Sequence, residues 1–395
     1  MRSDLHREEF AKKTATEPKT LHALPRSFCL RLVLSLCALL ASIQISSAEI
    51  SLTDITGRNV VLPAPAKRIL LMAPAYYTVL SLLSKNSAEL VVGVGTAPSG
   101  RDAGSEIEML QDLVEKPRLG SIWAGTFSIE KALELEADLL IAAPPGRGQP
   151  SLIEEAFAKA GVPIIYIDFH SDPSKNTAPS IEIVGRAIGE EKKAADFLDF
   201  YRERVSRITD RLKAANPARP KLLITSRRPD LPCCFSSASG GVTTYFGGLG
   251  VTNIAEGTTP GQPVQLSLEY VIERDPEIFV ANDLAVGPHS LFGQPRTLAN
   301  GVASLEKLSL EPGFRNLSAM HSRRIHAITH NLMISPLNIL AFEALATWIH
   351  PKLFADIDPQ ETLDEINRRF LSRPLEGPFW VSLELDADRH SGERP

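Results

Sequence analysis

From Glu190 to Asn216 the chain reads EEKKAADFLDFYRERVSRITDRLKAAN. Its apolar residues Ala194, Phe197, Leu198, Tyr201, Val205, Ile208 and Leu212 follow at steps of three, one, three, four, three and four. That spacing is one face of an α-helix, and the other face is almost all charge. Gly189 precedes the stretch and Asn216-Pro217 ends it. At about 1.5 Å per residue the helix spans roughly 40 Å, the width of a whole domain. Such a rod either joins two lobes or lies along the surface of one, so the flanks decide.

Both flanks alternate strands and helices. On the N-terminal side, after a strand–turn–strand at Ile50–Pro63, come the strands Arg68–Met72, Leu90–Val94, Leu139–Ala142 and Pro163–Phe169. Between and after them lie the helices Tyr76–Ser84, Ser128–Leu135, Ser151–Ala160 and Thr177–Ile188. On the C-terminal side the strands are Lys221–Thr225, Ile278–Ala281 and Arg324–Ile328. The helices there are Ser267–Arg274, Pro336–His350 (with Ser335 as its cap) and Pro359–Phe370, and a Gly-rich segment covers Ser239–Gly250. Strands separated by helices rather than tight hairpins imply parallel sheets covered on both faces. The fold class is therefore α/β, with the rod between two lobes. One correspondence links the lobes. FSIEKALELEADLLIA (127–142) matches LSLEYVIERDPEIFVA (266–281) without a gap, each a Ser-capped helix, an acidic turn and a buried strand. Two sheets of like topology would share a cleft at the carboxyl ends of their strands.

Composition narrows the function. The 395 residues carry a formal charge of −5. Without Met1–Ala48, which holds seven basic and four acidic residues, 35 basic and 43 acidic side chains remain, a charge of −8. A nucleic-acid partner would require a basic face, so none is expected. Arg26 and Arg31 precede the apolar run LVLSLCALLASIQI (32–45) and the small residues Ser46-Ser47-Ala48. This reads as a signal peptide, cleaved after Ala48, on a protein free in the periplasm. Cys37 follows Leu36 rather than a small residue, so no lipid anchor is expected. The mature chain keeps only the adjacent Cys233 and Cys234, which gives neither a disulfide framework nor C-x-x-C spacing. No G-x-x-x-x-G-K-[ST], G-x-S-x-G or H-E-x-x-H occurs. Asp386–Pro395 reads as a disordered tail.

Six stretches then resemble one family in order: DITGRNVVLPAPAKRILLM (54–72), GSIWAGTFSIEKALELEADLLIA (120–142), IDFHSDPSKNTAPSIEIVGRAIGEE (167–191), GGLGVTNIAEG (247–257), LSLEYVIERDPEIFVAND (266–283) and RRIHAITHNLMISPLNILAFEALATWIHPKLF (323–354). The chain resembles the periplasmic substrate-binding proteins of ABC importers for iron–siderophore complexes, haem and cobalamin. The resemblance implies two Rossmann-like lobes, 49–175 and 217–384, joined through a connector at 176–216 that includes the rigid helix. It also implies one ligand between the lobes, little hinge motion, and docking of a monomer to a permease dimer. The expected cargo is an iron(III)–siderophore-type chelate, so metal enters only inside the ligand and no cofactor is expected. Haem, a corrinoid or another metal complex is the alternative cargo. An exported enzyme using Cys233 or Cys234 with His330 is the alternative from another class.

Candidate ligand contacts follow. Trp123 lies in a Gly-flanked loop, and Tyr76 and Tyr77 follow the first core strand; aromatic walls suit a partly apolar chelate. Arg227 and Arg228 follow a strand directly and suit an anionic ligand, with Arg147 a weaker candidate in the opposite lobe. Cys233-Cys234 admits four readings: metal site, nucleophile, vicinal disulfide or structural pair. The resemblance favours a place in the cleft. His170 and His330 each follow a strand, whereas His326 lies within one and reads as structural. Glu130 and Glu269 occupy the same place in the matched segments; an acidic residue suits a helix's first turn, and the resemblance implies contact with permease arginines.

Overall fold

Ile50–Thr53 (β1) and Asn59–Leu62 (β2) pair antiparallel around the expected turn. The Asp54 carboxylate holds that turn, accepting from the backbone N–H of Thr56 at 3.0 Å and of Arg58 at 3.2 Å. It also accepts from Tyr166 N at 3.3 Å, which pins the hairpin to the first sheet. The computed structural model describes residues 49–96, 112–145, 152–226, 234–258, 264–282 and 297–383, all within one unit, Glu49–Pro395. The leader, the C-terminal tail, Arg147, Arg227, Arg228 and Cys233 lie outside the described residues.

The first sheet holds Ile69–Leu71 (β3), Val91–Val94 (β4), Leu139–Ala142 (β5) and Ile164–Tyr166 (β6) in the order β4-β3-β5-β6, all parallel. Its residues alternate between two cores as the period-two geometry demands. Ile69 and Leu71 face one core, Leu70 and Met72 the other.

The second sheet is centred on the expected parallel strands Lys221–Ser226 (β7), Ile278–Asn282 (β11) and Ile325–Ile328 (β12). The short strands Phe235–Ser236 (β8), Thr252–Asn253 (β9) and Val264–Gln265 (β10), with Trp380–Ser382 (β13), complete seven. The pairings β10–β8, β8–β7 and β12–β13 are antiparallel, so this sheet is mixed rather than purely parallel. These short strands carry too little periodicity to be read from sequence.

Among the described residues the helices differ from expectation at several points. The helix expected from Thr177 begins at Pro173, because Asp172 caps it by accepting from Lys175 N at 3.3 Å and Pro173 occupies its first position. The helix expected from Pro336 begins at Asn338, because Ser335 Oγ accepts from Leu337 N at 3.2 Å in a preceding turn. The Gly-rich segment contains a helix, Thr244–Leu249, whose Tyr245 and Leu249 are buried. The helix Leu298–Ser309, capped by Thr297, was not expected.

The rod is one unbroken helix, Glu191–Ala215, ended by Asn216 in the left-handed region at φ 40°. It follows Pro173–Ile188 through Gly189 at φ 73°, a backbone state that favours glycine. The two helices cross so closely that a Cβ at Gly185 would lie 2.5 Å from the Ala194 Cβ. Ala194, Phe197, Leu198, Tyr201, Ile208 and Leu212 are buried, as their spacing predicts. They join a single core that includes Val79–Leu83 and Ile141 of the first lobe and Ile224, Ile328, Leu345 and Ile366 of the second. Asn338, fully buried, ties the same junction, accepting from Tyr201 Oη at 2.9 Å and donating to Thr177 Oγ1 at 2.7 Å. Among the described residues no helix is long and apolar enough to cross a membrane.

Candidate ligand cleft

The matched segments fold alike. Ser128 Oγ accepts from Lys131 N at 3.2 Å and Ser267 Oγ from Tyr270 N at 3.1 Å, capping the helices Ile129–Glu134 and Leu268–Arg274. The turns that follow place Glu136 at φ 47° and Asp275 at φ 46°. Each unit then anchors the neighbouring parallel strand. Asp138 accepts from the backbone of Lys67 and Arg68, and Glu277 from that of Lys221. Arg68 and Lys221 reach back to Leu135 O and Arg274 O, the last carbonyls of the two helices. Glu130 and Glu269 both lie exposed in the first turns.

The carboxyl end of the second sheet opens onto a cavity to which the first lobe also contributes. A cavity of about 290 Å³ is lined by Ile224 and Thr225 of β7, Asn282 at the end of β11, and His330 two residues beyond β12. Phe235, Ser236, Ser237, Gly241 and Val242 complete the second lobe's share. His170, four residues beyond β6, comes from the first lobe. Beside it the lobes touch directly, Gly241 N donating to Ser171 O at 2.7 Å.

The two imidazoles stand edge to face with ring centroids 6.5 Å apart. Asp168, buried below His170, accepts from His170 N at 2.8 Å, Ser171 N at 2.9 Å and Asn176 Nδ2 at 2.6 Å, and from the Ser171 hydroxyl. Burial raises the Asp168 pKa, but these hydrogen bonds outweigh it and hold the carboxyl below its ordinary value. Desolvation in the cleft, and then His330, lower the pKa of His170, partly opposed by Asp168. Its ring is therefore neutral at pH 7, the form that can donate to a metal. Asn282 Nδ2 donates to His330 Nδ1 at 2.8 Å. Asn282 Oδ1 is buried without a partner.

The other expected contacts divide. Tyr76 lies half-buried at the carboxyl end of β3, where burial and nearby Asp168 raise its pKa. Tyr77 does not face the cleft: it is 1 % exposed and bonded to Ser87 at 3.0 Å and Asp112 at 2.9 Å, with its phenol pushed up to about 12 chiefly by burial. It opens the helix Tyr77–Leu83, every residue of which is buried. Cys234 is likewise in a core, fully buried and paired through its backbone with Leu266. It is disulfide-bonded, which removes the thiolate that a nucleophile needs. Trp123, 46 % exposed, lines a separate cavity of about 220 Å³ with Met72, Pro144, Ile153 and Tyr166. His326 is structural as expected, fully buried and stacked on Trp348. Asn282 escaped the sequence reading, since an Asn closing a strand reads as a turn former. A larger cavity of about 780 Å³, around Phe354, Trp348 and Trp380, is built by the second lobe alone. The cavity between His170 and His330 is the stronger candidate because both lobes contribute polar donors to it.

The family model described as periplasmic binding protein matches residues 77–332. The chain belongs to that family. No curated protein matches this binding protein. Among solved structures, it resembles the TroA-like periplasmic binding protein FepB from Veillonella parvula, with a TM-score of 0.69 and 24 % identity over 85 % of this chain and 99 % of that one. The molybdate periplasmic binding protein MolA of Haemophilus influenzae, bound to molybdate, aligns with a TM-score of 0.61 and 17 % identity over 81 % and 97 % of the two chains. Helicobacter pylori CeuE with Ni(II) bound aligns at 0.60 and 16 % identity over 82 % and 96 %. At these identities the structural likeness establishes the fold: two lobes joined by a long helix.

Proposed function

We propose that this binding protein captures a metal chelate of the iron–siderophore type between its lobes and delivers it to the permease of an ABC importer. The observation that carries the reading is the pair of imidazoles, one from each lobe, across a cavity at the carboxyl ends of both sheets. Two nitrogen donors suit a metal whose remaining positions are filled by its own chelator. The cavity, at about 290 Å³, has room for the metal centre and its nearest donor atoms. The body of the chelate extends beyond it, and Trp123 and the Arg227–Arg228 pair are the contacts proposed for it. The molybdate and Ni(II) seen in MolA and CeuE support a metal-centred cargo. In this reading Met1–Ala48 directs export to the periplasm. Exposed Glu130 and Glu269, presented by matched units on a rigid frame, dock a two-fold permease.

The test is titration of intrinsic fluorescence with ferric chelates and with haem, alongside native mass spectrometry of protein taken from its own periplasm. Saturable quenching by a ferric chelate, weakened at least tenfold in His170→Ala and in His330→Ala, is expected. A native spectrum showing a metal-free ligand, or full affinity in both variants, would refute the reading.

A further inference from the structure

The loop that carries Trp123 is closed on itself. Thr126 N donates to Ser121 O at 2.9 Å, Ser121 N donates to Thr126 Oγ1 at 3.0 Å, and Gly125 N donates to Ile122 O at 3.2 Å. Gly120 and Gly125 stand at φ 82° and 66°, and a Cβ at Gly120 would lie 2.2 Å from Thr126 O. Ile122 and Phe127 pack on the first lobe's core, yet Trp123 between them stays 46 % exposed. A braced loop that holds a large aromatic side chain out of the core is arranged for a contact from outside the chain.

The cavity of about 220 Å³ beside it supplies the other walls: Met72 just after β3, Pro144 and Pro145 beyond β5, Ile153, and Tyr166 at the end of β6. Tyr166 is fixed in place. The Arg58 guanidinium lies 4.1 Å from its ring centroid, and its hydroxyl donates to Glu154 Oε1 at 2.5 Å, which also accepts from Arg58 Nη1 at 3.2 Å. Glu154 lines the cavity too, and its Oε2 accepts no hydrogen bond among the described residues. Apolar walls, two aromatic rings and one carboxylate oxygen define the occupant. An anionic group would face Glu154, and an alkyl group would forgo the aromatic contacts. An apolar cavity of about 150 Å³ accommodates benzene, so this one has room for a ring and one substituent.

We propose that this first-lobe cavity is an aryl subsite, which takes an uncharged aromatic ring with an N–H or O–H donor beside it directed at Glu154. In the chelate-binding reading, on which this step rests, the ring belongs to an arm of the chelate. Tyr166 and His170 are four residues apart, so their Cα atoms lie within roughly 14 Å of each other, a span that one arm can cover from a metal held at the imidazoles.

The subsite can be tested with and without metal. Benzamide should shift the indole N–H resonance of Trp123, identified by its absence in Trp123→Phe, and should bind more tightly than cyclohexanecarboxamide. Ile153→Phe, which fills the cavity with its own ring, should abolish that shift. Ferric tris(benzohydroxamate) and ferric tris(acetohydroxamate) are both neutral and share metal and donor atoms. The aryl chelate should bind about tenfold more tightly or better, and that ratio should fall towards one in Trp123→Ala. Equal measurable affinities for the two ferric chelates, or a Trp123 resonance that benzamide leaves unmoved, would overturn the proposal and leave the chelate reading standing. If benzamide binds as stated but neither ferric chelate binds, the aryl subsite stands and the chelate reading falls.

Discussion

At the scale of single residues, burial decides what each titratable group does. Glu343 is 1 % exposed on the helix Asn338–Ile349; its Oε1 lies 3.9 Å from Arg204 Nε and its Oε2 has no partner. Arg204 is engaged by Glu365 at 2.5 Å and stacks over Phe200. Burial raises the Glu343 pKa to about 7 against the pull of Thr362, Arg204 and Arg207, with Asp358 pushing the same way as burial. A pKa raised on folding favours the folded state fully below the unfolded value of 4.5, and that contribution is lost as pH rises through about 7. Between pH 4 and pH 8.5, wild type should therefore lose on the order of 3 kcal/mol relative to Glu343→Gln in urea unfolding. Parallel pH profiles of the two proteins would contradict this. His326 acts in the opposite sense. Burial, then Arg324, depress its pKa well below 6.5, so its contribution is present above 6.5 and is lost as pH falls. The structural role of His326 was legible because a histidine inside a buried strand has no route to a ligand. The fates of Tyr77 and Cys234 were not, because neighbours in sequence such as Tyr76 and Tyr77 differ in burial and only the packed helix says which is inside.

At the scale of elements, the matched helix–turn–strand units were legible as a pattern, but not the device they share. A carboxylate at the foot of β5 or β11 holds the start of the adjacent strand, and a basic residue there caps the preceding helix. These bonds join segments some 50 to 70 residues apart, a separation at which local patterning is silent. The equal backbone strain of Glu136 and Asp275 sets up a contrast. The Glu136 side chain faces solvent, so Glu136→Gly should leave stability within about 0.5 kcal/mol of wild type or raise it. Asp275 accepts from Ser318 N at 2.7 Å and Ser318 Oγ at 2.6 Å, so Asp275→Gly should cost about 1–3 kcal/mol although it relieves the same strain. Equal midpoint shifts for the two variants in thermal unfolding would show that the turn, not the carboxylate, sets the cost.

At the scale of the whole molecule, the α/β class, the two lobes and the joining helix were legible because a 25-residue amphipathic helix has few homes. The cavities were only partly legible: positions after strands put His170 and His330 beside one cavity, while only the folded loop shows that Trp123 lines a neighbouring one. A straight helix packed into both lobes cannot bend as an extended linker does. Small-angle scattering should record a change of only a few ångströms in the lobe–lobe distance when a ligand saturates the protein, and a large closure would show a hinge elsewhere. Docking is tested by Glu130→Arg with Glu269→Arg, expected to abolish transport in cells while leaving chelate affinity intact; normal uptake by that double variant would dismiss the contact. The core that runs from Val79–Leu83 through the joining helix to Ile366 has a further consequence, for how the chain acquires its structure. Each lobe keeps a smaller core of its own but shares this one, so a fragment ending at Asn216 should be markedly less stable than the intact chain, and calorimetry of the intact chain should show one transition rather than two. Because Leu345 and Ile366 join this core, the helix at 191–215 completes the burial of its apolar stripe only once residues beyond 360 are present, so a first lobe made alone keeps part of that stripe exposed.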